Sequence, residues 1–218
     1  MQLRATISRN GILDGAIAEF AGKGFRGASI RSIAMRSGVP HALITYHFQT
    51  KDQLWRAAAE KAFAEIRAKW DVDDEQDVDP LERLRQEYGA LFRFTAAFPE
   101  FHRFMDQETD RGNPRLVWVT ENVVGPMIER LLPQIEQAQS RGLLPPVEPI
   151  LFHYLMVSLS STLARFGPEM ELTSGVDPDG AETTRAFWDL VESLVFRASV
   201  AKSAPDAVDR GRSHDPTA

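Results

Sequence analysis

Two short apolar segments around a glycine turn constrain the fold of this 218-residue chain more than any other feature. Ile33 and Ala34 precede Gly38 and Val39, and Ile44 lies ten positions after Ala34. A small residue where two helices cross, a glycine in the turn and apolar residues on both sides allow two short helices to pack at a steep angle. The spacing therefore predicts a helix–turn–helix motif.

Charge is distributed unevenly along the chain. Residues 1–51 carry seven Arg or Lys and two acidic side chains, a net charge of +5, whereas the whole sequence carries −6 and the remainder therefore −11. A basic segment on an acidic body is typical of a protein in which one part meets a polyanion. Uneven surface charge without a partner is the simpler alternative, so the charge supports the motif without defining its role.

Apolar residues recur at helical spacing in nearly every segment, and no alternating run of β-branched residues indicates a strand. We therefore expect an all-α protein of about nine helices. Seven are predicted at about residues 3–22, 30–37, 40–47, 50–70, 115–141, 147–166 and 182–201, and two aromatic-rich ones between 80 and 105. The segment 167–180, rich in Gly, Pro and Asp, is predicted to link the last two helices.

The helices predict an N-terminal three-helix domain over residues 1–51, a connector helix over 51–70 and a larger helical domain over 71–201. Residues 202–218 have no apolar period and are predicted to be a disordered tail. The last two predicted helices are apolar around more of their circumference than one core-facing stripe needs. We expect a second copy of the chain to cover them in a two-fold homodimer, with burial inside a monomer as the alternative.

Several classes of chemistry have no support in the sequence. The absence of cysteine excludes disulfides, thiolate zinc sites and cysteine nucleophiles. His41 and His47 are six positions apart, which is not the spacing of two ligands on one helical face. No G-x-S-x-G, H-E-x-x-H or phosphate-loop pattern is present, so we expect neither an enzyme nor a cofactor or metal site. An all-α enzyme acting on lipid-like substrates is the alternative.

The expected location is the cytoplasm, in soluble form and without membrane contact. The N-terminus lacks the pattern of a signal peptide. The most apolar run, residues 150–159, is shorter than the roughly 20 residues that a bilayer span requires.

Residues from about 7 to 54 resemble the DNA-binding domain of the tetracycline-repressor (TetR/AcrR) family of bacterial regulators. The resemblance covers about a quarter of the chain and is carried by Gly24-Phe25, Ser29, Ile33-Ala34, Gly38-Val39, Tyr46-His47-Phe48 and Lys51-Asp52-Gln53-Leu54. It implies a homodimeric, sequence-specific transcriptional regulator that binds a palindromic DNA operator, most often as a repressor. A transcriptional activator and a regulator controlled by a partner protein are the alternatives.

The resemblance also implies which side chains meet DNA. The predicted DNA-binding residues are Ser29, Arg31, Pro40, His41, Ala42, Leu43, Thr45, Tyr46 and Lys51. Positions 41–45 would face base edges in the major groove, and Arg31 would reach either a guanine or a phosphate. Ser29, Tyr46 and Lys51 match phosphate-contacting positions, which orient the protein and make binding fall with salt.

Two departures from the family pattern bear on sequence recognition. Pro40 stands where the family often has a Ser or Thr cap, which removes a hydroxyl that could bind phosphate. Thr45 stands where a tyrosine is usual. Because Ala42 and Leu43 offer apolar contacts, we expect thymine methyl groups to count in the operator.

The acidic part of the chain carries aromatic and methionine side chains with a few polar groups, which predicts a pocket for a small hydrophobic or amphipathic effector. The predicted effector-binding residues are Phe92, Phe101, Phe104, Met105, Trp118, Asn122, Met127, Tyr154, Phe166 and Trp188. For each of these residues considered individually, the alternative is that it belongs to the hydrophobic core and does not contact an effector. Effector binding is expected to tilt the connector helix and shift the population of DNA-competent dimers.

Overall fold

The structure, a computed structural model, describes residues 2–70, 78–107 and 112–196. Every regular element in these ranges is helical, which confirms the predicted all-α fold. The helices are α1 (Gln2–Gly27), α2 (Ile30–Ser37), α3 (His41–Phe48), α4 (Lys51–Trp70), α5 (Pro80–Ala97), α6 (Pro99–Asp106), α7 (Pro114–Val119), α8 (Gly125–Ser140), α9 (Pro149–Ser160), α10 (Thr162–Ser174) and α11 (Ala181–Val195), with a π-helical turn at Thr120–Val124 between α7 and α8.

Two predicted helices are interrupted, which is why these ranges hold eleven α-helices instead of about nine. In the segment predicted as 115–141, the N–H of Gly125 bonds to the carbonyl of Thr120, five residues back. The next residue, Pro126, has no N–H to continue an α-helical ladder. In the segment predicted as 147–166, the hydroxyl of Thr95 in α5 donates to the carbonyl of Ser160, where α9 ends.

The predicted stop of the first helix at Gly22-Lys23-Gly24 is confirmed: Gly24, with φ 64° and ψ 172°, is not helical and separates a last short turn that ends at Gly27. One predicted boundary was wrong. The predicted link 167–180 is helical in its first half, where α10 runs through Pro168 and ends at Ser174. The loop that follows packs against the helix: a Cβ added at Gly167 would lie 2.9 Å from Pro178.

The helix–turn–helix is formed by α2 and α3. The hydroxyl of Ser29 accepts from the N–H of Ser32, and the Ser32 hydroxyl accepts from the N–H of Ser29, so both residues cap α2. Gly38 ends α2 in the left-handed conformation, with φ 64° and ψ 29°. Ile33 and Ile44 are buried and hold the two helices against α1 and α4.

Buried charges fix α1 against its neighbours. Glu19 is 2% exposed, and its carboxylate lies 2.6 Å from the ammonium of Lys23 and 3.4 Å from Nε of Arg36 in α2. Burial acts to raise the pKa of Glu19, but the hydrogen bond from Lys23 and the charges of Lys23 and Arg36 outweigh it and lower this pKa. The carboxylate is therefore held ionised where α1 meets α2.

Aromatic rings join the first four helices to α6 and α7. The Trp55 ring of α4, fully buried, is stacked on the Phe104 ring of α6 with centroids 5.2 Å apart and an interplanar angle of 20°. Phe20 of α1 meets the same Phe104 ring at 6.3 Å, and Trp118 of α7 meets Trp55 edge-on at 6.2 Å. The guanidinium of Arg115 lies 3.7 Å from the centroid of Phe25. We call this group of side chains the aromatic junction.

Helix α5 lies at the centre of the C-terminal helices and contacts α8, α9 and α11. Its Tyr88 hydroxyl is 3.0 Å from Nδ1 of His153 in α9, and both side chains are buried. Burial raises the pKa of Tyr88 and lowers the pKa of His153 to about 4. The Phe92 ring is stacked on Trp188 of α11 at 5.3 Å.

Some predictions lie outside the described residues. These are the disordered tail at 202–218, the end of the last helix at 197–201 and the beginning of the C-terminal domain at 71–77. Within the described ranges, no helix is long and apolar enough to cross a membrane.

The two buried histidines predict an acid-sensitive fold. Burial lowers the pKa values of His102 and His153 to about 4, with the charge of Arg165 as a second cause at His102. Unfolded histidines titrate near pH 6.5, so between pH ~6.5 and ~4 the unfolded state binds more protons. The free energy of unfolding therefore decreases as the pH falls, by up to about 1.4 kcal/mol per pH unit for each histidine.

Urea unfolding of the wild type and the His153→Asn variant between pH 7 and 4, at one protein concentration, measures this dependence. Asparagine keeps a polar atom for Tyr88 and cannot titrate. The free energy of unfolding of the variant is expected to depend less steeply on pH, by roughly the contribution of one histidine. If the free energy of unfolding changed with pH equally in the two proteins, His153 would not be held neutral in the folded state.

Candidate DNA-binding surface and interdomain cleft

Helix α3 turns its apolar side inward and most of its predicted DNA-contacting side chains outward. Ile44 and Phe48 are buried, whereas His41, Ala42 and Thr45 are exposed and Tyr46 is 79% exposed. The predicted base-reading positions therefore share a solvent-facing surface. Leu43 differs: it is half-buried and packs against the core.

Helix α2 adds Arg31 to this side of the molecule. Its guanidinium is exposed and has no carboxylate partner among the described residues. Met35, four residues later and 81% exposed, shares the helical face with Arg31. No sequence pattern singled out Met35, because an apolar residue in a short helix is expected to lie in the core.

Three other predicted DNA-contacting residues have structural roles. Lys51 donates to the carbonyls of Phe25 at 2.8 Å and Ala28 at 2.9 Å, so its ammonium ties the end of α1 to the start of α4. The Ser29 hydroxyl caps α2. Pro40 precedes α3 without a side-chain cap hydrogen bond, which agrees with the hydroxyl lost at this position. The phosphate contacts of Ser29 and Lys51 stay predictions.

The predicted effector-binding residues are divided among several places. Phe104 and Trp118 belong to the aromatic junction, with Met105 half-buried next to Phe104 in α6. Phe92 and Trp188 are stacked on each other. The Phe101 ring contacts the rings of Phe63 and Phe94, and Met127 packs against the core. The other three residues face solvent: Asn122 is exposed, and Tyr154 and Phe166 are about half-exposed. Only part of the set is thus brought together.

A cleft of about 540 Å³ separates α1 and α4 from α7 and the π-helical turn. We call it the interdomain cleft. Its lining residues are Arg9, Asn10, Leu13, Ala57, Glu60, Lys61, Ala64, Arg67, Trp118, Asn122 and Val123. The size falls within the usual range for small-molecule sites, roughly 300–1,000 Å³.

Sequence reasoning selected only Trp118 and Asn122 of this lining, because it assigned α1 and α4 to DNA binding and connection. The pattern that could have revealed the cleft is in α4. Positions 57, 60, 61, 64 and 67 follow helical spacing and form one face that mixes alanine with charge.

An apolar surface extends over α9, α10 and α11. Its exposed side chains are Leu151, Tyr154, Leu155, Phe166, Leu172, Leu190 and Leu194. Large exposed apolar patches often mark association surfaces in soluble proteins. The surface includes α10, which the sequence prediction had divided between a helix and a linker.

The described residues contain no group of three or more His, Asp or Glu side chains placed to hold a metal ion. The two buried histidines pack against other groups: His153 contacts Tyr88, and His102 lies edge-on to Phe101 at 5.4 Å.

Comparisons with known proteins agree with this arrangement. Residues 12–58 match the family described as bacterial regulatory proteins, tetR family. The HTH-type transcriptional regulator RutR of Escherichia coli is 22% identical over 171 residues, covering 77% of this chain and 78% of RutR. The HTH-type transcriptional repressor NicS of Pseudomonas putida is 27% identical over 160 residues, covering 71% of this chain and 74% of NicS.

Among solved structures, AibR in complex with isovaleryl coenzyme A and operator DNA has the same fold. The TM-score is 0.69 at 20% sequence identity, covering 87% of this chain and 98% of AibR. The matched residues 12–58 contain the whole helix–turn–helix, and the relatives named above are transcriptional regulators. The helix–turn–helix region of this chain therefore matches the TetR family, and the chain as a whole is similar to DNA-binding transcriptional regulators of that family.

Proposed function

We propose that the chain acts as a homodimeric repressor, released from a palindromic operator when a small hydrophobic or amphipathic effector binds. The observation that carries this proposal is the stacking of Trp55 on Phe104. This contact couples the connector helix of the DNA-reading part to the helices that would respond to an effector. NicS is named a repressor, and AibR was solved with both a ligand and operator DNA, which supports the same combination here.

The DNA-reading part consists of residues 1–51 in this proposal, with α4 as the connector and residues 71–201 as the effector and dimerisation domain. Arg31 and Tyr46 supply an exposed cation and an exposed phenol for DNA. Ala42 and Thr45 are exposed and available to thymine methyls, whereas Leu43 is half-buried. Recognition of thymine by apolar contact would therefore depend on Ala42 and Thr45.

Dimerisation is supported by the apolar surface on α9–α11. Leu190 and Leu194 lie one turn apart on the last described helix and are 52% and 66% exposed. Covering such side chains stabilises a complex by about 25 cal/mol per Å² of apolar surface removed from water, before the costs of association. A two-fold dimer would place two copies of α3 on successive half-sites, about one turn of DNA apart.

Effector control is supported by the way in which α4 is held. Trp55 contacts α6 through Phe104 and α7 through Trp118, while Lys51 at the start of α4 bonds to the end of α1. A displacement of α6 or α7 would therefore move α4 and α1 together. Because half-sites tolerate little change in spacing, a small tilt in each subunit would favour release.

Selection of bound fragments from random double-stranded DNA tests the proposed function. The purified protein is expected to enrich a two-fold symmetric motif, and the protein is expected in the cytoplasm, where it meets DNA. Enrichment of an unrepeated, asymmetric motif would reject the homodimer. Failure to enrich any sequence would reject operator binding by the free protein.

The Arg31→Gln variant is expected to bind the selected site about tenfold less tightly, since a lost arginine contact to a base costs roughly 1–3 kcal/mol. Fluorescence anisotropy at fixed salt measures the affinity, and Arg103→Gln, in an exposed part of α6, is the matched control. If Arg31 contacts a guanine, the variant is expected to discriminate less at one base pair of the operator. If Arg31 contacts a phosphate, the affinity of the variant for DNA is expected to fall less steeply with salt than that of the wild type. Wild-type affinity of Arg31→Gln under all conditions would exclude both contacts.

The Leu194→Glu variant is expected to be monomeric, because it places one charge from each subunit within an apolar interface. Sedimentation velocity measures the mass, and circular dichroism verifies that the variant is folded. Val117→Glu changes a 48%-exposed valine on α7 and is expected to remain dimeric. If the folded Leu194→Glu protein had the same mass and the same dimer dissociation constant as the wild type, this surface would be excluded as the dimer interface.

A further inference from the structure

We propose that the interdomain cleft binds a small organic anion with an apolar body, whose charged group is held by Arg9 of α1 and Arg67 of α4. Both residues line the cleft and are exposed, and the guanidinium of Arg9 also lies 5.5 Å from the centroid of the Phe48 ring. Neither has a carboxylate partner among the described residues. Arginine is well suited to such a role because its planar fork binds carboxylate, sulfonate or phosphate oxygens in pairs.

The other charged residues leave these two arginines available. Lys61 also lines the cleft, but its ammonium lies 2.6 Å from the Asp14 carboxylate and bonds to Glu65 as well. Glu60 is the single acidic residue in the lining. The lining itself carries three cations, at Arg9, Lys61 and Arg67, against one anion at Glu60, and the two carboxylates that hold Lys61 are not part of it. A negatively charged ligand in the cleft is therefore favoured over a cationic one.

The remaining wall suits an apolar body. Leu13 and Val123 are almost fully buried beneath the cleft, and Ala57, Ala64 and Trp118 complete its less polar side. Asn122 offers its amide oxygen at the edge, since its amide nitrogen already donates to the carbonyl of Trp118 at 2.8 Å. An apolar wall with a few polar groups that fix orientation is the usual composition of a small-molecule site.

Because of its position, a ligand bound in the cleft would contact two groups of helices at once. One wall is α1, which Glu19 ties to Arg36 of α2, and the opposite wall is the π-helical turn that follows Trp118. Such turns occur frequently at functional sites. A ligand that contacts both walls would fix the angle between the DNA-reading helices and the effector domain. This regulatory consequence depends on the proposed function; ligand binding in the cleft does not.

Fluorescence titration of the full-length protein with 8-anilinonaphthalene-1-sulfonate tests the site, with N-phenyl-1-naphthylamine as the matched probe that lacks the sulfonate. The wild type is expected to bind the sulfonate saturably and more tightly than the neutral probe. The Arg9→Gln/Arg67→Gln double variant is expected to bind the sulfonate at least about tenfold more weakly, with neutral-probe affinity unchanged. Arg103→Gln is expected to behave as the wild type.

The Ala64→Trp variant tests the same site by volume instead of charge. Ala64 is exposed on α4, so a larger side chain there fills the cleft without disturbing the core. This variant is expected to lose saturable binding of both probes. No binding by the folded wild type, or equal sulfonate affinity in the wild type, the double variant and Ala64→Trp, would overturn the proposal.

Operator affinity separates this proposal from the proposed function. Saturating sulfonate probe is expected to change the affinity of the wild type for its selected DNA and to leave that of Ala64→Trp unchanged. A protein that selects no DNA but still binds the probe through Arg9 and Arg67 would reject the proposed function and retain the cleft site. Probe binding without any change in DNA affinity would overturn the regulatory consequence.

Discussion

The stacking of Trp55 on Phe104 is the contact that turns two groups of helices into one mechanical unit. Trp55 has no exposed surface, and its ring lies between Phe104 of α6 and Trp118 of α7. Packed rings cannot slide gradually, because a small displacement loses van der Waals contact or creates overlap. The orientation of α4 therefore depends on the positions of α6 and α7. Any effect of these two helices on the DNA-reading helices is transmitted through this contact.

Buried charge keeps the DNA-reading part rigid enough for such a displacement to matter. Glu19 is almost fully buried, and hydrogen bonds from Lys23 and Ser32 together with the charges of Lys23 and Arg36 keep its pKa low, so its carboxylate binds α1 to α2. Lys51 joins the end of α1 to the start of α4 through two backbone carbonyls. Helices α1, α2 and α4 thus move as a body, and α3 is carried with them through the buried side chains of Ile44 and Phe48.

Local patterns predicted the parts of the fold whose cause is local. The turn at Gly38 depends on a few neighbouring residues, and the spacing of the sequence predicted it; the caps formed by Ser29 before α2 and by Asp79 before α5 are local in the same way. The continuation of α10 through Pro168 depends on tertiary packing, which outweighs the hydrogen bond that proline removes. For the same reason the interdomain cleft was missed: its walls come from helices that are distant in sequence, and the face of α4 that lines it does not by itself indicate which helices lie opposite.

The inward position of Lys51 changes how the affinity of such a protein for DNA should be understood. The position of Lys51 is predicted to contact phosphate, but its ammonium already donates to two carbonyls, so in the proposed complex it would offer DNA its positive charge without the freedom to follow a phosphate. A point charge acts over a distance near the Debye length, roughly 8–10 Å at physiological salt, whereas a direct hydrogen bond requires close approach. Lys51 thus serves the fold by contact, and in the proposed complex with the operator it would act on DNA through its charge over this longer range.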